Sequence, residues 1–188
     1  FPNINLKTNE NLLILGNSGI GKTTLLHNLA GILRPKSGMI KIFKNEISKF
    51  SELKLDKFRG KNIGVVFQKP HFVNSLTIGE NLELAQFLGQ NKKGNIQIIL
   101  DSLKILDKIN KKPKELSQGE KQRASIAIAI INSPKLILAD EPTSSLDDGN
   151  CKNVINILKE QALKYNAQLV VITHDNRLKK YFKKFIAL

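Results

Sequence analysis

The octapeptide Gly16-Asn17-Ser18-Gly19-Ile20-Gly21-Lys22-Thr23 restricts the fold of this chain more than any other segment. The apolar run NLLILG at residues 11–16 precedes it as a strand signal, and Leu25, Leu26 and Leu29 follow at helical spacing, predicting a helix over 22–31. Strand, glycine-rich turn and helix is the order a phosphate-binding loop requires. The glycines let backbone amides turn inward around the β- and γ-phosphates, and the helix N-terminus adds positive potential. Lys22 supplies a point charge and Thr23 a hydroxyl for Mg²⁺. A glycine-rich turn without a ligand is the competing explanation, and the flanking strand and helix weigh against it. Alone, the loop specifies a nucleotide and no particular reaction.

At 188 residues, 41% of them apolar, the chain suits one domain or a two-lobed one, and a second independent catalytic domain within it is not expected. No apolar stretch approaches the roughly 20 residues that cross a bilayer; the nearest, 126–131 and 136–139, are core-sized. Any membrane role is therefore expected to run through a partner. No basic-then-apolar leader opens the chain, and its first residue is Phe1 rather than Met, so residues are expected ahead of it. Cys151 is the only cysteine, which excludes an internal disulfide and a cysteine-based zinc cluster and fits a reducing compartment.

The net charge of +14 raises the question of nucleic acid. Of the 30 basic residues, 26 are Lys and four Arg, scattered except at Lys111, Lys112 and Lys114 and at Lys179, Lys180, Lys183 and Lys184. That distribution favours a solvated surface first and an anionic membrane or acidic partner second; nucleic acid comes last.

Further strands are predicted at 39–43, 63–67, 136–140 and 168–173, with helices at about 118–132 and 149–165. Between 70 and 115 the pattern turns helical. Thr77 and Glu80 have capping-box spacing ahead of 81–88, and apolar residues recur at three and four over 96–109. The expectation is a P-loop α/β fold: a mostly parallel sheet flanked by helices, with 70–115 as a helical lobe inserted into a core made of 1–69 and 116–188.

The strand at 136–140 ends on Asp140 with Glu141 adjacent. Successive strand residues face opposite ways, so one carboxylate can face a magnesium shell while the other meets an attacking water. Solvation of a strand end is the alternative. Ser117 and Glu120 have capping-box spacing at the start of a long helix, and such a tip also offers amides and a positive dipole end to an anion. Gln68 and His174, each after a strand, read by themselves as a surface amide and a structural histidine.

Taken in order, the chain resembles the ABC ATPases over essentially its whole length. After the phosphate loop come Gln68 in VVFQKP, resembling the Q-loop, and Leu116-Ser117-Gln118-Gly119-Glu120, resembling the signature. Asp140 and Glu141 follow with Pro142 and Thr143, then Ser145-Leu146-Asp147, resembling the D-loop, and His174 in VVITHD, resembling the switch histidine. The wording LADEPTSSLD with LSQGEKQR is most similar to the small cassettes of lipoprotein release, macrolide export and cell division. The resemblance implies an ATP hydrolase using Mg²⁺ that pairs with a second cassette and drives transmembrane permease subunits. It further implies a cytoplasmic position, peripheral on the inner face of the cell membrane through those partners. It assigns Glu141, His174 and Gln68 to catalysis, with Glu141 the general base. It assigns Gly16, Asn17, Ser18, Gly19, Ile20, Gly21, Lys22, Thr23 and Thr24 to the nucleotide, joined by Ser117, Gly119 and Asp147, and assigns Thr23, Gln68 and Asp140 to the metal.

Departures are Gln118 at the signature's third position, where Gly is usual, Glu120 at its fifth, and Ile128 where many relatives have Arg. The family's adenine-stacking aromatic falls ahead of residue 1, and Phe1 is not given that role. A soluble relative acting on nucleic acid or ribosomes is the second reading. It is disfavoured because Lys22 and Ser117 are separated only by a compact helical segment without sustained heptads. A P-loop kinase is disfavoured by the signature segment.

Overall fold

The computed structural model describes residues 1–7, 10–90, 94–144 and 146–188. Strand β1 (Asn11–Leu15) leads into helix α1 (Lys22–Leu29), and a two-stranded hairpin of β2 (Lys41–Ile42) and β3 (Asn45–Glu46) comes next. Helix α2 (Glu52–Asn62) then runs into β4 (Ile63–Val66). Helices α3 (Ile78–Gly89), α4 (Ile96–Ser102) and α5 (Gln118–Ile130) precede β5 (Leu136–Asp140), α6 (Asp148–Lys164), β6 (Gln168–Thr173) and β7 (Phe185–Ala187). The main sheet is parallel throughout, in the order β4-β5-β6-β1-β7.

Alternation along the strands builds a core on each face of this sheet. Leu13, Leu15, Ile137, Ala139, Leu169 and Val171 point to one side and meet Ala127 and Ile130 of α5 and Leu158 of α6. Leu12, Ile14, Leu136, Leu138, Val170 and Ile172 point to the other and meet Leu25 and Leu26 of α1, with Leu55 of α2. Each fully buried leucine or isoleucine contributes about 1.5–3 kcal/mol, so the two layers hold the strands in a single register. Helices α3 and α4 join the first core through Leu82, Ile99 and Leu100. The α/β architecture with helices on both faces is the expected one.

The structure departs from the sequence expectations in four places. The strand expected at 39–43 shrinks to Lys41–Ile42 and pairs antiparallel with β3, outside the main sheet. Phe43 and Lys44, both at positive φ, make the tight turn that reverses the chain there. The helical pattern over 96–109 stops at Ser102. Lys104 takes a left-handed conformation, and its N–H and that of Ile105 donate to Asp101 and Leu100 carbonyls at 2.8 and 3.0 Å, closing the helix end. Single 3₁₀ turns at Leu106–Lys108 and Pro113–Glu115 carry the chain onward. Helix α2 and strand β7 were not expected at all. Leu55 is the only buried residue of α2, and β7 is three residues long, so neither carries a clear hydrophobic period.

Candidate nucleotide site

Register decides which residues meet. Leu15 lies opposite Thr173 and Ile172 opposite Asp140, so the carboxyl ends of β1, β6 and β5 stop side by side and the residues that follow them share one rim. In open α/β sheets that rim is where ligands bind. Gly16 N–H donates to the Thr173 carbonyl at 3.2 Å, tying the glycine loop to β6. Gly19 and Gly21 have φ of 85° and 97°, a region that side-chain-bearing residues rarely adopt. Asn17, Ser18 and Ile20 complete the turn, and Thr24 is exposed in the first turn of α1.

Lys22 is 7% exposed; its ammonium donates to the Asn17 carbonyl at 2.9 Å and stands 3.5 Å from Glu141 Oε1. The hydroxyl of Thr23 donates to Asp140 Oδ2 at 3.1 Å, whereas Asp140 Oδ1 is buried with no hydrogen-bond partner. Burial pushes the Asp140 carboxyl up, and neighbouring Glu141 adds to this against the pull of Thr23 and Lys22. A buried carboxylate oxygen without a donor, beside a threonine hydroxyl, suits a hard cation such as Mg²⁺. Among the described residues no cluster of three or more His, Cys, Asp or Glu is placed to hold a metal. Such an ion would draw its other ligands from phosphate and water.

The strand ends at Asp140, and Glu141 adopts φ 46°, left-handed for a residue with a side chain. Its N–H donates to the Ile172 carbonyl at 2.8 Å, fixing the turn. The carboxylate is thereby aimed at the end of β6. Oε2 accepts from Thr173 Oγ1 at 2.7 Å, and His174 N–H lies 3.1 and 3.3 Å from the two oxygens. His174 Nδ1 is 2.8 Å from Oε1, which assigns the proton to that nitrogen because an ionised carboxylate only accepts. Burial drives the Glu141 carboxyl up; the donors from His174 and Thr173 outweigh it and hold the group below its ordinary value. Adjacent carboxylates are thus displaced in opposite directions, a recognised mark of divided roles.

Gln68 donates to Ser144 Oγ at 3.4 Å and lines a cavity of about 240 Å³ with Lys69, Gln118, Lys121 and Glu141; it is not hydrogen-bonded to Thr23 or Asp140. Ser117 and Gly119 stand apart from the loop at the tip of α5. Ser117 Oγ accepts from Glu120 N–H at 3.3 Å while Glu120 Oε2 accepts from Ser117 N–H at 2.8 Å, the full capping box that the spacing predicts; Thr77 and Glu80 form another on α3. Asp147 caps α6, accepting from Asn150 N–H at 2.9 Å and Nδ2 at 2.7 Å, which lowers its carboxyl. Ser145, the first residue of the expected D-loop, lies outside the described residues. Sequence reasoning gave no role to Thr173, whose hydroxyl reaches the carboxylate, nor to Thr143, Asp175 and Arg177. The usable signal was adjacency to the quoted motifs, with Thr173 and Asp175 on either side of His174 and Thr143 two residues after Glu141, whereas Arg177 had none.

A cavity of about 650 Å³ lies elsewhere, against Ile4, Leu6, Leu29, Phe43, Leu138 and Val170. It lacks the converging glycine amides and carboxylates of the rim. The rim is where the chemistry-bearing groups gather.

Residues 2–144 match the ABC transporter family. The chain belongs to that family. It is 40% identical over 186 residues to the lipoprotein-releasing system ATP-binding protein LolD of Buchnera aphidicola subsp. Acyrthosiphon pisum, spanning 96% of this chain and 82% of that one. An uncharacterized ABC transporter ATP-binding protein of Methanocaldococcus jannaschii, MJ1508, is 38% identical, covering all of this chain and 86% of its own. Among solved structures, the dimeric post-hydrolysis state of the ATP-binding cassette MJ0796, bound to ADP and Pi, superposes with a TM-score of 0.87 at 31% identity. That alignment covers 98% of this chain and 83% of the other. The ABC cassette described here is accordingly an ATP-hydrolysing subunit of a transporter, in the small-cassette group that includes lipoprotein release. No helix among the described residues is long and apolar enough to cross a membrane.

Proposed function

We propose that two copies of this cassette close face to face on two molecules of Mg·ATP and that closure and reopening move helices in transmembrane permease partners. The observation that carries the reading is the convergence of Lys22, Thr23, Asp140, Glu141, Thr173 and His174, through contacts of 2.7–3.5 Å, where β1, β5 and β6 end. Loop residues Gly16 to Thr24 cradle the phosphates. The opposite copy supplies Ser117 and Gly119 from its α5 tip and Asp147 from its α6 cap. Thr23, Asp140 and Gln68 would hold Mg²⁺, which would supply charge neutralisation at the phosphates. Glu141 takes the proton of the attacking water and His174 faces the γ-phosphate. As phosphate attracts Lys22, the Glu141 carboxylate loses a neighbouring cation and becomes the stronger base.

Two relatives support the assembly: MJ0796 is dimeric when bound to ADP and Pi, and LolD belongs to a lipoprotein-releasing system. We assign residues 1–69 and 116–188 to the α/β core and 70–115 to the helical lobe, and place the cassette on the inner face of the cell membrane by way of its permease. Lipoprotein release is the transport class that these relatives favour. The deciding experiment is size-exclusion chromatography of Glu141→Gln with and without Mg·ATP. A nucleotide-dependent doubling of mass supports the reading; a monomer at saturating nucleotide rejects it. RNA-stimulated turnover that vanishes at moderate salt would instead favour action on nucleic acid.

A further inference from the structure

Behind the rim, one guanidinium joins two segments that the sequence keeps 29 residues apart. Arg177 grips Asp175 in a fork, with Nε 2.9 and 3.0 Å from the two carboxylate oxygens and Nη2 2.8 Å from Oδ2. Its Nη1 donates to Asp148 Oδ1 and its Nη2 to the Leu146 carbonyl at 3.3 Å. Leu146 and Asp148 are the immediate neighbours of Asp147. The other end of the clamp leads to the base. Asp175 Oδ2 accepts from Thr143 Oγ1 at 3.4 Å, Asp175 N–H donates to Thr173 Oγ1 at 3.0 Å, and Thr173 Oγ1 donates to Glu141 Oε2 at 2.7 Å. A path of hydrogen bonds, passing through the backbone and side chain of Asp175, therefore runs from the Glu141 carboxylate to the two residues that flank the α6 cap.

We infer that Arg177 is a positioning residue that locks the start of α6, and with it Asp147, to the loop carrying His174, so that the two move as one unit. The inference rests on the functional reading above, in which Asp147 faces the second copy and Glu141 and His174 face the γ-phosphate. Under that reading the clamp makes the approach of the other copy felt at the base. Geometry favours arginine for this post. Its planar fork satisfies Asp175 through two nitrogens while a third nitrogen reaches Asp148, which the single ammonium of lysine cannot reproduce.

The test compares wild type, Arg177→Ala and Arg177→Lys as full chains. The expected result for both variants is turnover at saturating Mg·ATP about tenfold slower, with nucleotide dissociation constants within about twofold of wild type. In the nucleotide-free protein, amides of residues 146–150 should exchange hydrogen faster in both. Unchanged turnover, a loss matched by weaker nucleotide binding, or unchanged exchange at 146–150 overturns the inference. If Arg177→Ala does not fold, Asp148→Asn decides, since it leaves the Arg177–Asp175 fork in place. Slower turnover with faster local exchange supports the clamp, and wild-type behaviour overturns it. A wild-type chain that fails to hydrolyse ATP sinks the functional reading instead, while the exchange comparison still decides whether Arg177 holds Asp147.

Discussion

Glu141 and Asp140 are chain neighbours with opposite electrostatic fates, and both can be probed separately. Donors from His174 and Thr173 hold Glu141 below its ordinary value of 4.5. The stabilisation they bring is complete above that value and is lost as pH falls through the folded pKa. Glu141→Gln should therefore be less stable than wild type at pH 7, with the gap closing in acid, as read by thermal melts across a pH series. The same variant should bind nucleotide yet lose turnover by about 10²–10⁴-fold, the usual worth of a positioned base. Residual hydrolysis near wild type would remove Glu141 from that role. Asp140 has the reverse sign. Burial raises it above its ordinary 3.8, so the ionised group costs stability at pH above its folded pKa, and the cost is relieved as pH falls through that value. Asp140→Asn should raise the nucleotide-free Tm at pH 7 by about 2–4 °C, the shift that about 1 kcal/mol produces at this size. It should at the same time abolish the magnesium dependence of tight nucleotide binding; a Tm unchanged or lowered at pH 7 would contradict the burial argument.

At the scale of elements, the close fit of α5 against β4 hangs on Gly64. A Cβ there would lie 2.1 Å from the Ala129 carbonyl oxygen, inside any tolerable contact. Gly64→Ala forces helix and strand apart and should cost about 1–3 kcal/mol, lowering Tm by roughly 2–12 °C. A melt within a degree of wild type would show that the helix shifts freely. The elements that were legible in the sequence share one property. β1, β5 and β6 are short apolar runs buried on both faces, and the capping boxes at Thr77 and Ser117 mark their helix starts by side-chain chemistry alone. Helix α2 was not legible because its stability comes from outside its own pattern. Arg34 reaches Glu52 at 2.8 Å and Arg59 donates to the Gly31 carbonyl at 2.9 Å, long-range contacts that no window of sequence contains. Lys104 is another such case, since a left-handed lysine carries no signal comparable to a glycine.

For the whole molecule, the prediction of consequence is that each hydrolytic site is built from two copies. Gly119 is exposed, and a Cβ there would meet only Arg123 Nη1, at 3.5 Å, so Gly119→Asp should fold normally while setting a carboxylate against the partner's phosphate. Alone, Gly119→Asp and Glu141→Gln should each be inactive. Mixed in equal amounts before nucleotide is added, they should recover up to about a quarter of wild-type turnover, because random pairing gives half mixed dimers with one intact site each. A mixture as dead as its components would mean the site is complete within one copy. The sequence by itself determined the phosphate loop, the alternation of buried strands with capped helices, and the family. Those depend on local chemistry: glycine conformations, apolar period and capping side chains within a few residues of each other. Only the tertiary structure decided the strand order β4-β5-β6-β1-β7, the left-handed turn that aims Glu141 at Thr173 and His174, and the Arg177 clamp. Each of those joins residues distant in the chain, and such pairings follow from the packing of one layer on another, which no single segment encodes.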